Sequence, residues 1–264
     1  ALVSNIEIVN IRATTATVST LVAGNITGLT EVNAVNSTGT VTVTGLASGA
    51  THNILGNGSL VTGALNSGWA AAATASVTNV TGAVATSGVI TLSGTGLTSS
   101  TVNSLGTVAN TVGAVAFAAT TTGLTINSGP GLTTGAVTNT TAAAITAIDI
   151  NGAGDVNLST TALETAVIAI NAGNLTGGLT VVLSDKVTMV ATAGSGDDVI
   201  TSNAILTTGS VNAGAGDDLL VAGALNQVNT AALGAKFTNF ETLRTIGTLD
   251  MDLTLSGLTG IQLT

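Results

Sequence analysis

The chain has 264 residues, of which 6% are charged, 2% aromatic and 45% hydrophobic, with a net charge of −9 and no cysteine. Its four basic residues, Arg12, Lys186, Lys236 and Arg244, are too few to neutralise a phosphate backbone, which argues against a nucleic-acid partner. The missing thiols exclude a disulfide framework and a thiolate zinc site, and no apolar run approaches the roughly 18 residues of a membrane-spanning helix.

Few charges and many apolar residues also argue against disorder. The apolar residues are mostly Ala, Val, Leu and Ile, small side chains that suit the narrow interior of a solenoid better than the middle of a wide globule. The chain begins Ala1-Leu2-Val3 with no visible signal peptide, which reads as a fragment or a processed product.

In chain order, the elements read as short strands bounded by Gly, Asn and Ser. Thr40-Val41-Thr42-Val43-Thr44 alternates strictly. His52, the only histidine, reads as a solvent-facing turn residue in Ala50-Thr51-His52-Asn53; alone, it cannot build a zinc site or a catalytic triad. Trp69 reads as a packed cap or an interface anchor. Val89–Leu92, Leu124–Asn127 and Leu179–Leu183 are further strands. Ser93-Gly94-Thr95-Gly96-Leu97-Thr98 recurs about 35 residues on as Ser128-Gly129-Pro130-Gly131-Leu132-Thr133, an acid-free structural turn. Thr161-Ala162-Leu163-Glu164 has capping-box spacing and predicts a short helical turn, with another over Asn229–Leu233.

From Ile150 a finer repeat is visible. Aligning Gly152, Gly173, Gly194 and Gly214 gives steps of about 21, 21 and 20 residues, the length of one solenoid coil. A coarser echo spans the chain. Ser4-Asn5-Ile6-Glu7-Ile8-Val9 returns as Thr238-Asn239-Phe240-Glu241-Thr242-Leu243, and Ile26–Val32 returns as Leu255–Ile261, both about 230 residues later. The expected fold is therefore all-β: a parallel β-helix, or β-solenoid, with coils of about 20 residues. Three segments are expected: a Thr/Ala/Gly-rich region over 1–145, solenoid rungs with acidic turns over 146–234, and the start of the next tandem unit over 235–264.

Two acidic turns dominate the functional reading. Ala193-Gly194-Ser195-Gly196-Asp197-Asp198-Val199-Ile200 is followed by Ala213-Gly214-Ala215-Gly216-Asp217-Asp218-Leu219-Leu220. Glycines at 194, 196, 214 and 216 permit turns that expose carbonyl oxygens, and the aspartates add anionic oxygens, a donor set suited to Ca²⁺. If the coils stack, Asp198 and Asp218 come into register about 4.8 Å apart, where a bridging Ca²⁺ would relieve their repulsion. Asp197 and Asp217 alternate in direction, so one of each pair faces solvent. Asp155, in Asn151-Gly152-Ala153-Gly154-Asp155, is a degraded copy of the same turn. Glu7 and Glu241 occupy equivalent repeat positions and read as residues that orient backbone at a coil edge.

These turns resemble the RTX nonapeptide repeat, Gly-Gly-x-Gly-x-Asp-x-apolar-x. The pattern maps onto Ala193–Thr201 and Ala213–Val221, its Asp falling on Asp198 and Asp218 and its apolar position on Ile200 and Leu220. The first Gly is Ala in both copies, and the copies lie twenty residues apart where RTX motifs follow every nine. The composition and the Asn-Ile-Glu-Ile-Val-Asn and Asn-Phe-Glu-Thr-Leu segments resemble Caulobacter-type S-layer proteins and giant type I secreted surface proteins. The resemblance implies an extracellular, cell-surface location, folding in Ca²⁺, and a structural role in a self-assembled lattice, sheath or filament. Its partner would be further copies of itself, and cell-surface polysaccharide bound through other regions of a longer chain. The alternative is a stalk or adhesive module of a large secreted adhesin. An enzyme is disfavoured, because the sequence shows no converging acids and bases.

Overall fold

The computed structural model describes residues 3–14, 18–56, 64–82, 88–224, 226–246 and 262–263. Its strands are two to seven residues long and alternate between buried and partly exposed positions, as in Val41–Leu46 and Ser99–Leu105. Such strands satisfy their backbone groups only by pairing with the next coil, and every ladder between the described residues is parallel. The result is a β-solenoid of about 10 turns with about 23 residues per turn.

Three faces build the stack. A long face of 11 strands runs from Ile8–Ile11 to Phe237–Thr238. An early face of six strands runs from Ser19–Val22 to Val137–Asn139, and a late face of eight runs from Asn110–Val112 to Gln262–Leu263. A two-stranded ladder, Val3–Ser4 with Ile26–Thr27, stands at the start. The cross-section thus changes along the axis. Early coils alternate long and early faces, two middle coils carry all three, and later coils alternate long and late faces. The long face passes the expected boundary at 145 without a break, because Gly123–Ser128 pairs residue for residue with Ala147–Gly152.

Coil length varies. Steps along the long face are 24 residues from Ala75 to Ser99, Gly123 and Ala147, and 20 from Val190 to Ser210. The step is 26 from Thr51 to Val77 and from Val211 to Phe237, where the extra residues hold the short helix Ala231–Gly234, N-capped by Thr230. The expected length of 20 thus holds for the later coils only. Inside, in-register columns such as Val102, Ile126 and Ile150 form the core. Trp69 is packed within it, its Nε1 donating to Ala50 O at 3.2 Å.

Outside, the long face carries a column of eight asparagines. Asn33, Asn53, Asn79, Asn103, Asn127, Asn151 and Asn174 each donate from Nδ2 to Oδ1 of the asparagine one rung earlier, beginning at Asn10, over 2.7–3.3 Å. An amide is both donor and acceptor, so an unbroken column satisfies each member from its neighbours.

Four sequence readings are corrected. His52 is not a turn residue facing solvent: it lies in strand Thr51–Leu55, is fully buried, and meets Ser67 Oγ through Nδ1 at 2.8 Å. Strand alternation places it in the inward column after Val32, and burial pushes its pKa down to about 3, so the ring is neutral. The 35-residue echo is not a repeat of position, because Ser93 ends an early-face strand and Ser128 a long-face strand. Gly173 is not the counterpart of Gly152, which pairs with Leu175; the register shifts there and Asn151 meets Asn174. Thr161–Glu164 forms no helix; Glu164 instead accepts the Asn139 N–H through Oε2 at 3.2 Å.

Replacing Asn103 by Ala takes the donor from Asn79 and the acceptor from Asn127. The expected cost is about 1–2 kcal/mol in chemical denaturation. Asn174→Ala, at the end of the column, is expected to cost less, and equal costs would show that the column is not the source.

Candidate functional site

The acidic turns lie at one corner of the stack, where each coil leaves the long face and enters the late face. Glycine is needed there because turns of successive rungs touch backbone to backbone. A Cβ on Gly194 would overlap Leu175 O, one on Gly214 would overlap Gly194 O, and one on Gly196 would overlap the Gly177 carbonyl. Gly214 and Gly216 also have φ of 99° and 144°, in the region that favours glycine. The Gly194 carbonyl accepts the Ala215 N–H of the next rung at 3.0 Å. The four motif glycines are thus accounted for by rung contact.

Asp198 and Asp218 do fall in register, each just ahead of a late-face strand, since Val199 pairs with Leu219. They are 0% and 1% exposed. Asp198 Oδ1 accepts the Leu179 N–H at 2.6 Å, and Asp218 Oδ1 accepts the Asp198 N–H at 2.7 Å. Glu241 continues the column, accepting the Asp218 N–H through Oε2 at 2.8 Å. Each acid therefore caps a backbone donor of the rung before it, at the place where the turn interrupts the ladder. Sequence reading tied Glu241 only to Glu7. The signal that adds it to the column is an acid directly before an apolar strand, Glu241-Thr242-Leu243 beside Asp198-Val199-Ile200.

The second oxygens are different. Oδ2 of Asp198 and Oδ2 of Asp218 are buried with no hydrogen-bond partner. Burial pushes the Asp198 carboxyl up to about 7, the neighbouring Asp218 charge adds to this, and the Leu179 N–H bond opposes it. Burial likewise pushes Asp218 up to about 6, with the Glu241 and Asp197 charges adding and the Asp198 N–H opposing. At neutral pH these oxygens call for a proton or a cation.

Asp197, Asp217 and Asp155 point outward and are exposed. Asp197 Oδ1 accepts the Asp217 N–H at 2.9 Å, and Asp155 Oδ1 accepts the Gly178 N–H at 2.8 Å. Asp155 and Asp197 border a polar groove of about 400 Å³ with Thr176, Gly177, Gly178, Thr180 and Gly196. The nine expected site residues thus divide into a buried pair, an exposed set and the packed glycines between them. Among the described residues, no three His, Cys, Asp or Glu side chains converge as a ready-made metal site.

A raised carboxyl pKa means that folding takes up protons between the ordinary value of 3.8 and the folded value. Stability from this source is greatest near the acid end of that window and falls as pH rises through it. In metal-free buffer the unfolding temperature is expected to drop between about pH 5 and pH 7.5. Asp198→Asn with Asp218→Asn keeps the capping oxygens and removes both charges, so the drop is expected to vanish; an unchanged pH profile would place its origin elsewhere. No protein-family model, no curated protein and no solved structure matches this chain.

Proposed function

We propose that the chain is a structural repeat unit of an extracellular surface assembly, a lattice, sheath or filament of copies of itself, that Ca²⁺ stabilises at the Asp198–Asp218 corner. One observation carries the structural reading: the first rung returns at the last. Asn5 and Asn239 both turn in the left-handed region, with φ of 63° and 61°. Glu7 O accepts the Glu31 N–H at 3.0 Å, and Glu241 O accepts the Gln262 N–H at 2.8 Å. Ile8 pairs with Glu31, and Thr242 with Gln262. A unit that starts again where it finishes suits a protein extended by repetition, and a solenoid's unpaired end edges suit association.

The Ca²⁺ proposal rests on the two orphaned buried oxygens. Asp198 Oδ2 and Asp218 Oδ2 would be its anionic donors, with turn carbonyls and water completing the six to eight oxygens that Ca²⁺ takes. Weak sites of this kind fill at extracellular, roughly millimolar Ca²⁺. The ion would do at neutral pH what protons do in acid, compensating two buried charges.

Negative-stain microscopy tests both parts. Ordered sheets or filaments are expected in millimolar Ca²⁺, with their loss in chelator and in the Asp198→Asn, Asp218→Asn variant. Monodisperse particles under every condition would overturn the assembly role and favour a spacer within a larger adhesin. Assembly indifferent to Ca²⁺ would overturn the metal site alone.

A further inference from the structure

The returning rung does not return on the same face. Ile8–Ile11 and its partner Glu31–Val35 open the long face, whereas their counterparts Thr242–Thr245 and Gln262–Leu263 close the late face. Phe237–Thr238, the counterpart of Val3–Ser4, closes the long face, whereas Val3–Ser4 belongs to the separate two-stranded ladder. The same local structure is thus set down twice, turned about the solenoid axis by one face.

The two copies also differ in what lies beneath them. Phe237 sits on Val211, and Thr242–Thr245 on Leu219–Ala222 in full register. There Phe240 is 8% and Leu243 0% exposed. At the start of the chain Ile6 is 37%, Ile8 54%, Val3 46% and Val22 50% exposed. Val9, the counterpart of Leu243, is only half-buried. Glu241 caps the Asp218 N–H, while Glu7 is exposed.

From this we infer that the underside of the first rung is a docking surface for a second copy of the same unit. The last rungs of the chain display the complex it would form. In the joint, Ile8–Ile11 lies along Leu219–Ala222 of the copy below, Val3–Ser4 lies along Val211–Asn212, and Glu7 caps the Asp218 N–H. These are the places that residues 237–245 hold within one chain. The late face of one copy then runs into the long face of the next. Successive units advance by on the order of 50 Å, ten rungs at the strand spacing, and rotate by one face, so a series of them is a screw. The inference rests on the repeat-unit part of the proposed function and needs neither Ca²⁺ nor a lattice.

The test is a fused chain in which Lys236 of one copy is followed directly by Val3 of a second. Small-angle X-ray scattering is expected to report one stiff rod of about twice the parent's length, with the join resistant to limited proteolysis. Glu7→Ala in the second copy is expected to make the join several-fold easier to cleave. Two particles linked by a protease-sensitive hinge would overturn the joint. A measurement on the single chain is independent of the fusion. Leu243→Asp is expected to drive the last rung off and free the Leu219–Ala222 edge, giving concentration-dependent end-to-end oligomers in sedimentation, and Val9→Asp in the same chain is expected to abolish them. A Leu243→Asp chain that retains its strand content and stays monomeric would overturn the joint as well. A stiff fused rod without Ca²⁺-dependent sheets or filaments would leave the joint standing and sink the assembly role; sheets or filaments with a hinged fusion would do the reverse.

Discussion

Parallel pairing between successive coils is the constraint on which the rest of the molecule depends. Each short strand leaves its backbone N–H and C=O groups to the coils on either side, so one coil has no stable form by itself. Because neighbouring rungs lie about 4.8 Å apart in register, equivalent side chains are forced into columns. Each column must then consist of groups that tolerate their own kind as neighbours. Aliphatic side chains do so inside, as in the Val102, Ile126 and Ile150 column.

Amides and carboxylates meet this condition in opposite ways. Asparagine carries both donor and acceptor, and the column from Asn10 to Asn174 closes on itself rung after rung. Ionised aspartate is an acceptor only, so a carboxylate column cannot pair internally. At the acidic corner the missing donors come from the backbone: Leu179, Asp198 and Asp218 N–H groups each take one carboxylate oxygen. That arrangement fills one oxygen of Asp198 and of Asp218 and leaves the other buried without a partner. The raised pKa values follow from the same geometry, since the charge has been removed from water without full compensation. A corner of this kind links the stability of the stack to whatever supplies positive charge there.

Stacking also accounts for the glycines. At Gly194, Gly196 and Gly214 the neighbouring turn stands where a Cβ would be. A Gly-x-Gly-Asp turn therefore has two separable components, a backbone that allows close approach and an acid that caps the donor exposed by the turn. Gly131 and Gly154 have the first without a buried acid, which is why glycine-rich turns extend along this corner beyond the acidic ones.

Much of the architecture was legible in the chain itself. Short alternating strands, scarce helix, small apolar residues and a period near 20 in the later coils point to a β-solenoid, because these are local properties that survive without knowledge of partners. The register of Asp198 with Asp218 was legible for the same reason, as two equal turns one coil apart. The recurrence of Asn79, Asn103, Asn127 and Asn151 at intervals of 24 was present too, but its meaning depends on coil length, which varies from 20 to 26. What only the tertiary structure decided is orientation and neighbourhood. It turned His52 inward, because facing in or out depends on strand phase. It separated Gly173 from Gly152 through a register shift and drew Glu241 into the acidic column from 23 residues away. It also changed the face on which the first rung returns. Sequence by itself determined that this chain would coil and repeat, because periodicity is written residue by residue. Which groups meet across a rung, and which oxygen is left without a partner, was settled only when the coils were stacked, because those contacts join residues that no local pattern connects.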